Sequence, residues 1–184
     1  FDYFKFKNSQ NPFGIYFHPI AIESLIKNAI NNKIYTDKDI FFHNEQWHCF
    51  ESHSKLSSYC KEELLLNLNT HIKSTYEQLC KSTHIIITLG TAWTYRHLEK
   101  NIVVSNCHKL PQKLFLKGIL PIDEIYRSIQ SIVHLIKSVN LDATVIFTVS
   151  PVRHLKDGFI ENTRSKAHLI AAVHSLLTKN NNAQ

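Results

Sequence analysis

The residues best equipped for chemistry in this 184-residue sequence stand where apolar runs stop. Gly90-Thr91-Ala92-Trp93-Thr94-Tyr95-Arg96 follows the run 84–89, and the run 143–151 closes into Ser150-Pro151-Val152-Arg153-His154. Backbone amides at Gly90 and Thr91 can donate to an oxygen on which negative charge develops, and each donor fixed in this way contributes roughly 10²–10³ in rate. A tight strand exit uses glycine too, so Gly90 carries both readings. Trp93 and Tyr95 can stack on a substrate or simply pack a rim, and Arg96 has ordinary carboxylate partners available. Arg153 offers paired donors for a carboxylate or phosphate, or an ion pair to Asp157 or Glu161. His154 adjoins it.

Three further clusters offer other chemistries. In Asn106-Cys107-His108-Lys109 a thiol adjoins an imidazole, as nucleophilic catalysis requires. Sequence neighbours on an extended chain point to opposite faces, however, so Cys107 and His108 do not pair by adjacency alone. His43, His48, Cys49 and His53 could suggest a metal. Their spacing of 5, 1 and 4 fits neither a zinc finger nor the H-E-x-x-H pattern. Ser54 follows His53, but a nucleophilic serine normally takes its base from a distant stretch, which favours a rim or substrate-binding role.

The elements that must position these residues follow from periodicity. Residues 1–18 read as extended and irregular, with Asn11-Pro12-Phe13-Gly14 as a turn. Pro19 suits a first helical position, and Ile22, Leu25, Ile26 and Ala29 predict a helix over 19–31. Residues 36–58 read as loop or short strands. A helix is expected over 60–81, with Leu64, Leu68, Ile72, Tyr76 and Leu79 on one face. The β-branched run 84–89 predicts a strand covered on both faces, and 94–105 a hairpin. Ile122, Ile125, Ile129, Ile132, Val133 and Ile136 make 121–139 a helix, with Asp123 and Glu124 complementing its dipole. A strand over 143–151 and a helix over 160–179 complete the series, with Asn162, Ser165 and Lys166 at that helix's start. Alternating helices and strands imply an α/β domain with a parallel sheet, whose ligands bind beyond the carboxyl ends of the strands.

Composition narrows the class. A 43% hydrophobic content suits one globular domain, and no apolar run reaches membrane-span length. The net charge of +6 comes from scattered lysines and four separated arginines, which implies a solvated basic surface and no specific nucleic-acid partner. Four cysteines without a C-x-x-C pair read as free thiols in a reducing, cytoplasmic compartment. With Phe1 first and no methionine, the chain reads as a piece of a longer protein.

"NPFG" (11–14), "HS" (53–54), "TLGTAWTYR" (88–96), "NCHKLP" (106–111), "FTVSPVRH" (147–154), and "KDG", "EN" and "SKA" (156–167) occur in this order. Together they resemble the GSCFA-domain proteins, placed among SGNH/GDSL-type hydrolases, over essentially the whole chain. The resemblance implies a three-layer, flavodoxin-like α/β domain with a central parallel sheet, incomplete at both ends. It implies an ester hydrolase or acyltransferase acting on small-molecule or glycan esters, without cofactor or metal. Its nucleophilic serine and catalytic histidine would lie outside residues 1–184. Gly14, Gly90, Thr91 and Asn106 become candidate oxyanion donors. His53, Ser54, Trp93, Tyr95, Arg96, His108, Arg153 and His154 become candidate substrate-binding residues. Ala92 departs from the Asn of the wider pattern, which is why Asn106 is the substitute. A non-catalytic carbohydrate- or polymer-binding module on the same fold is the alternative.

Overall fold

The computed structural model describes residues 7–153 and 155–181. Helix α1 spans Pro19–Ile30. Strands β1 (Ile40–His43) and β2 (Gln46–Cys49) form an antiparallel hairpin, which resolves the mixed stretch 36–58. Helix α2 spans Lys61–Lys81 and leads into β3, His84–Leu89. Next come β4 (Trp93–His97), β5 (Ile102–Val104) and β6 (Phe115–Ile119). Helix α3 (Ile122–Val139), β7 (Thr144–Val149) and α4 (Phe159–Asn181) follow.

The result is a mixed α/β domain. β3 and β7 pair in parallel, Leu89 opposite Val149, through the crossover containing α3. β4 is the centre of a separate antiparallel sheet in the order β5-β4-β6. α1 packs on α3 and α2, and α3 on α4. The core lies between these helices and the inner face of the parallel pair. It includes Leu64, Leu68 and Leu89 together with Ile125, Ile129, Ile132 and Ile136 from the α3 stripe, all fully buried. Fully burying one such side chain contributes about 1.5–3 kcal/mol.

Local chemistry explains the start of α1. Pro19 supplies a fixed φ where no helical N–H is needed. His18 caps the turn, its Nδ1 accepting from the Ala21 N–H at 3.2 Å. That leaves Nε2 protonated to donate to the Val104 carbonyl at 3.1 Å, so one buried, neutral imidazole ties α1 to β5. Burial holds its pKa below the ordinary histidine value.

Two expectations change. The strand 84–89 is covered on one face only: His84, Ile86 and Thr88 are exposed, as are Thr144, Ile146 and Thr148 beside them on β7. A β-branched run cannot report which of its two faces has a partner. The last helix begins at Phe159, immediately after Gly158 at φ 90°, so Ser165 and Lys166 lie in its second turn and do not cap it.

Candidate functional site

The site is built where β3 and β7 end. Ser150 N–H donates to the Leu89 carbonyl at 2.9 Å, continuing the ladder one step and setting Gly90 beside Ser150. Segment 11–18 crosses in front of them. It enters through a turn closed by Gly14 N–H to Asn11 O at 2.8 Å. Phe13, fully buried, accepts at its carbonyl from His53 N–H at 3.0 Å. Gly14 sits at φ 82°, and a Cβ there would lie 2.2 Å from the His53 Cβ. Only glycine tolerates both that backbone and that approach. "NPFG" and "HS" are therefore two halves of one contact.

Phe17 supplies the next link. Its carbonyl accepts from both Gly90 N–H and Thr91 N–H, each at 2.8 Å. The two amides form a small nest that already holds an oxygen. A cleft of about 540 Å³ opens beside it, lined by Gly14, Phe17, Ile86, Thr88, Gly90 and Ser150 among others. Three of the four expected oxyanion donors thus gather at one place, with their N–H groups engaged to Asn11 and Phe17. The fourth, Asn106, is on a loop anchored elsewhere. Its Oδ1 accepts from His108 N–H at 2.8 Å, which leaves Nδ2 as its donor end.

Helix α4 braces this corner. Ser165 Oγ accepts from Ala92 N–H at 2.8 Å and lies 3.1 Å from Thr91 Oγ1. Lys166 Nζ donates to the Gly90 carbonyl at 2.5 Å, and burial lowers its pKa. Sequence reasoning placed both residues at a helix start. The "SKA" block held the signal, since a small hydroxyl followed by a lysine suits the tether of a strand-end loop.

Period two sorts the β4 residues. Trp93 and Tyr95 share a face with Lys117, which stands opposite Tyr95 on β6. The Lys117 ammonium lies 4.6 Å from the Trp93 ring centroid and 5.8 Å from that of Tyr95, and it pairs with Asp157. The Trp93 indole N–H is buried and has no hydrogen-bond partner. Arg96 does not join them. It is exposed on the opposite face, donating to the Asn101 carbonyl at 3.1 Å within its own hairpin.

His108 is an interior anchor and not a rim residue. It is 4% exposed. Its Nε2–H donates to the Cys49 carbonyl at 2.7 Å, and its Nδ1 has no partner. Its ring faces Phe41, Phe50 and, 4.7 Å between centroids, His48. Burial, with like-charge repulsion from His48 and His53, brings its pKa down to about 4. Neighbouring Cys107 is half-buried, and burial pushes its thiol up to about 11, against some opposing pull from Lys156.

The remaining candidates are dispersed. His53 Nδ1 accepts from Lys55 N–H at 3.2 Å, and Ser54 is exposed at the start of a short 3₁₀ turn. Arg153 is exposed and lies 5.4 Å over the Phe159 ring. Asp157 pairs with Lys117, and Glu161 lies 3.7 Å from Arg164, so neither carboxylate takes Arg153. His154 lies outside the described residues. Both nitrogens of His48 are engaged, Nε2 with the His43 carbonyl at 2.9 Å and Nδ1 with Ser57 Oγ at 2.6 Å. Among the described residues no group of three or more His, Cys, Asp or Glu could hold a metal ion. No disulfide joins the four cysteines, and no described helix is long and apolar enough to cross a membrane.

A polar knot escaped the sequence reading. Glu51 Oε2 accepts from Lys33 Nζ at 2.7 Å, Tyr35 OH at 2.9 Å and Asn28 Nδ2 at 3.1 Å. Tyr16 OH donates to the Glu51 carbonyl, and burial followed by the neighbouring Cys49 and Glu51 pushes its pKa well up. The knot fixes segment 11–18 from beneath. No spacing rule links residues 16, 28, 33, 35 and 51.

No curated protein and no solved structure matches the chain. The GSCFA family model matches residues 1–184, its whole length. With the paired blocks meeting at one strand-end corner, the chain belongs to the GSCFA family.

Proposed function

We propose that this domain is a flavodoxin-like, SGNH-type serine ester hydrolase or acyltransferase acting on acyl esters, glycan- or envelope-linked ones included. Its nucleophile and catalytic histidine are contributed from outside residues 1–184. One observation carries the reading. Gly14, the Gly90–Thr91 amide pair and Ser150 converge at the carboxyl ends of two parallel strands, beside a cleft of about 540 Å³. That is where open α/β sheets bind ligands, and paired amides are the donors an acyl-transfer transition state needs. In this reading the amides hold the oxyanion, and Trp93 and Tyr95 border the substrate.

A second reading, a non-catalytic carbohydrate- or polymer-binding module, draws on a different observation: the Gly14, Gly90 and Thr91 amides already donate to protein carbonyls. Fold alone does not deliver chemistry. The two readings separate in the polypeptide that carries this chain with its flanks. Hydrolysis of p-nitrophenyl acetate, and a serine-directed phosphonate adduct on a serine outside residues 1–184, are expected for the hydrolase. Retention of an acetylated glycan with neither turnover nor adduct supports the binding module and removes the hydrolase.

A further inference from the structure

Two amides meet the Phe17 carbonyl, and the peptides behind them are not equivalent. An amide N–H and the carbonyl of the preceding residue belong to one conjugated peptide group. Behind Gly90 N–H lies the Leu89 carbonyl, which accepts from the neutral Ser150 N–H at 2.9 Å. Behind Thr91 N–H lies the Gly90 carbonyl, which accepts from the Lys166 ammonium at 2.5 Å. A donor on the carbonyl draws electron density out of the peptide and strengthens its N–H in turn. A charged donor does this more strongly than a neutral one.

The charge on Lys166 is available for this. Among the described residues no carboxylate pairs with it: Asp157 takes Lys117, and Glu161 lies beside Arg164. Neither α3 nor β7, both packed against α4, adds a charge that shifts its pKa; burial is the one cause. A partly buried cation is screened less than a surface one. Lys166 is not among the described residues lining the cleft, whose border here is Gly90 and Ser150, so it reaches an occupant only through the peptide. The preceding residue of α4, Ser165, fixes the next peptide by accepting from Ala92 N–H. We propose that Lys166 is a positioning residue that polarises the Gly90–Thr91 peptide and makes Thr91 N–H the stronger of the two donors toward a negatively charged oxygen. The catalytic consequence rests on the hydrolase reading; the polarisation does not.

The test uses the polypeptide that carries this chain with its flanks. Carbon-detected CON spectra report each peptide as one signal, a carbonyl carbon with the next nitrogen, and need no amide proton at high pH. Between pH 7 and 11 the Gly90–Thr91 signal should move with the Lys166 ammonium, inflecting below the ordinary lysine value of 10.5. The Leu89–Gly90 signal should stay nearly still. Lys166→Arg, charged throughout, should abolish the inflection. Losing a whole oxyanion donor costs roughly 10²–10³ in rate, so losing only its polarisation should lower kcat on p-nitrophenyl acetate about tenfold in Lys166→Met. KM should stay within about twofold, because the interaction strengthens only as charge develops, and Lys166→Arg should restore most of kcat. A Gly90–Thr91 signal that stays still, or that inflects equally in Lys166→Arg, overturns the proposal. So does an active wild type whose Lys166→Met variant keeps its kcat, because Thr91 N–H then faces no developing charge. A wild type with the inflection but no turnover upholds the polarisation and removes the hydrolase, so the two ideas fail separately.

Discussion

Acid should destabilise this protein through His108 before its carboxylates titrate in bulk. The folded state holds His108 neutral: Nε2–H donates to Cys49, Nδ1 is buried without a partner, and the ring packs against Phe41, Phe50 and His48. A proton on Nδ1 would be buried without a partner, beside a second imidazole. The pKa is accordingly brought from 6.5 to about 4. The unfolded chain takes up its proton near pH 6.5 and the folded chain near 4. The stabilisation is therefore complete above pH 6.5 and is lost as pH falls through that window. Linkage gives a loss of roughly 1 kcal/mol by pH 5.5 and roughly 2–3 kcal/mol by pH 4.5. His48 and His18, also held below their ordinary values mainly by burial, add slope of the same sign. Urea unfolding at pH 7.5, 6.5, 5.5 and 4.5 measures the total. His108→Gln supplies a non-titrating amide donor toward Cys49 and should cost about 1–2 kcal/mol at pH 7.5. It should flatten most of the decline between pH 6.5 and 4.5. Parallel declines for wild type and His108→Gln would refute the reasoning, because the titrating group would then be another residue.

Gly14→Ala combines a φ of 82° with a Cβ 2.2 Å from that of His53, and should cost more than 2 kcal/mol in urea unfolding. Gly158→Ala, at φ 90° with open space around it, should cost only about 1 kcal/mol. Ser165→Ala leaves the Ala92 N–H unpaired in a buried corner and should cost about 1–3 kcal/mol by the same assay. Iodoacetamide at pH 8 should label exposed Cys60 first. Cys107 and Cys49, whose thiols burial pushes up to about 11 and about 12, should lag by orders of magnitude in mass-spectrometric time courses.

Most of the helices and both parallel strands could be read from periodicity, because α1, α2 and α3 each bury a continuous stripe against one another. Where the reading fell short, the cause lies in what a pattern omits. The hairpin of β1 and β2 turns through Asn44 and Glu45, both at positive φ, without the glycine that usually marks such a turn. β6 carries Lys117 and Gly118 and is held by non-local pairing to β4, so it has no signature of its own. His108 reads as a surface group, because nothing in "NCHK" announces a left-handed turn that swings the ring inward. The site blocks were legible as blocks. Their mutual contacts, Gly14 with His53 and Thr91 with Ser165, depend on a fold that brings together residues 39 and 74 positions apart.

The Phe17 carbonyl then decides how the corner can work. Two amides 2.8 Å from one oxygen have the donor geometry that an oxyanion requires, yet a neutral carbonyl fills it. That carbonyl belongs to a segment pinned on both sides, by Phe13 and Gly14 against His53 and by His18 between Ala21 and Val104. Exchanging it for a substrate oxygen means loosening one pin, and a charged oxyanion gains more from two fixed amides than a peptide carbonyl does. The His18 pin caps α1 and fastens β5 with one buried ring, and the Gly14 side is held by the fully buried Phe13 and its hydrogen bond to His53. Under the proposed hydrolase reading, Gly14→Ala should alter catalysis and stability together, whereas Ser165→Ala, which acts on the opposite side of the amide pair, should alter catalysis only as far as Thr91 shifts.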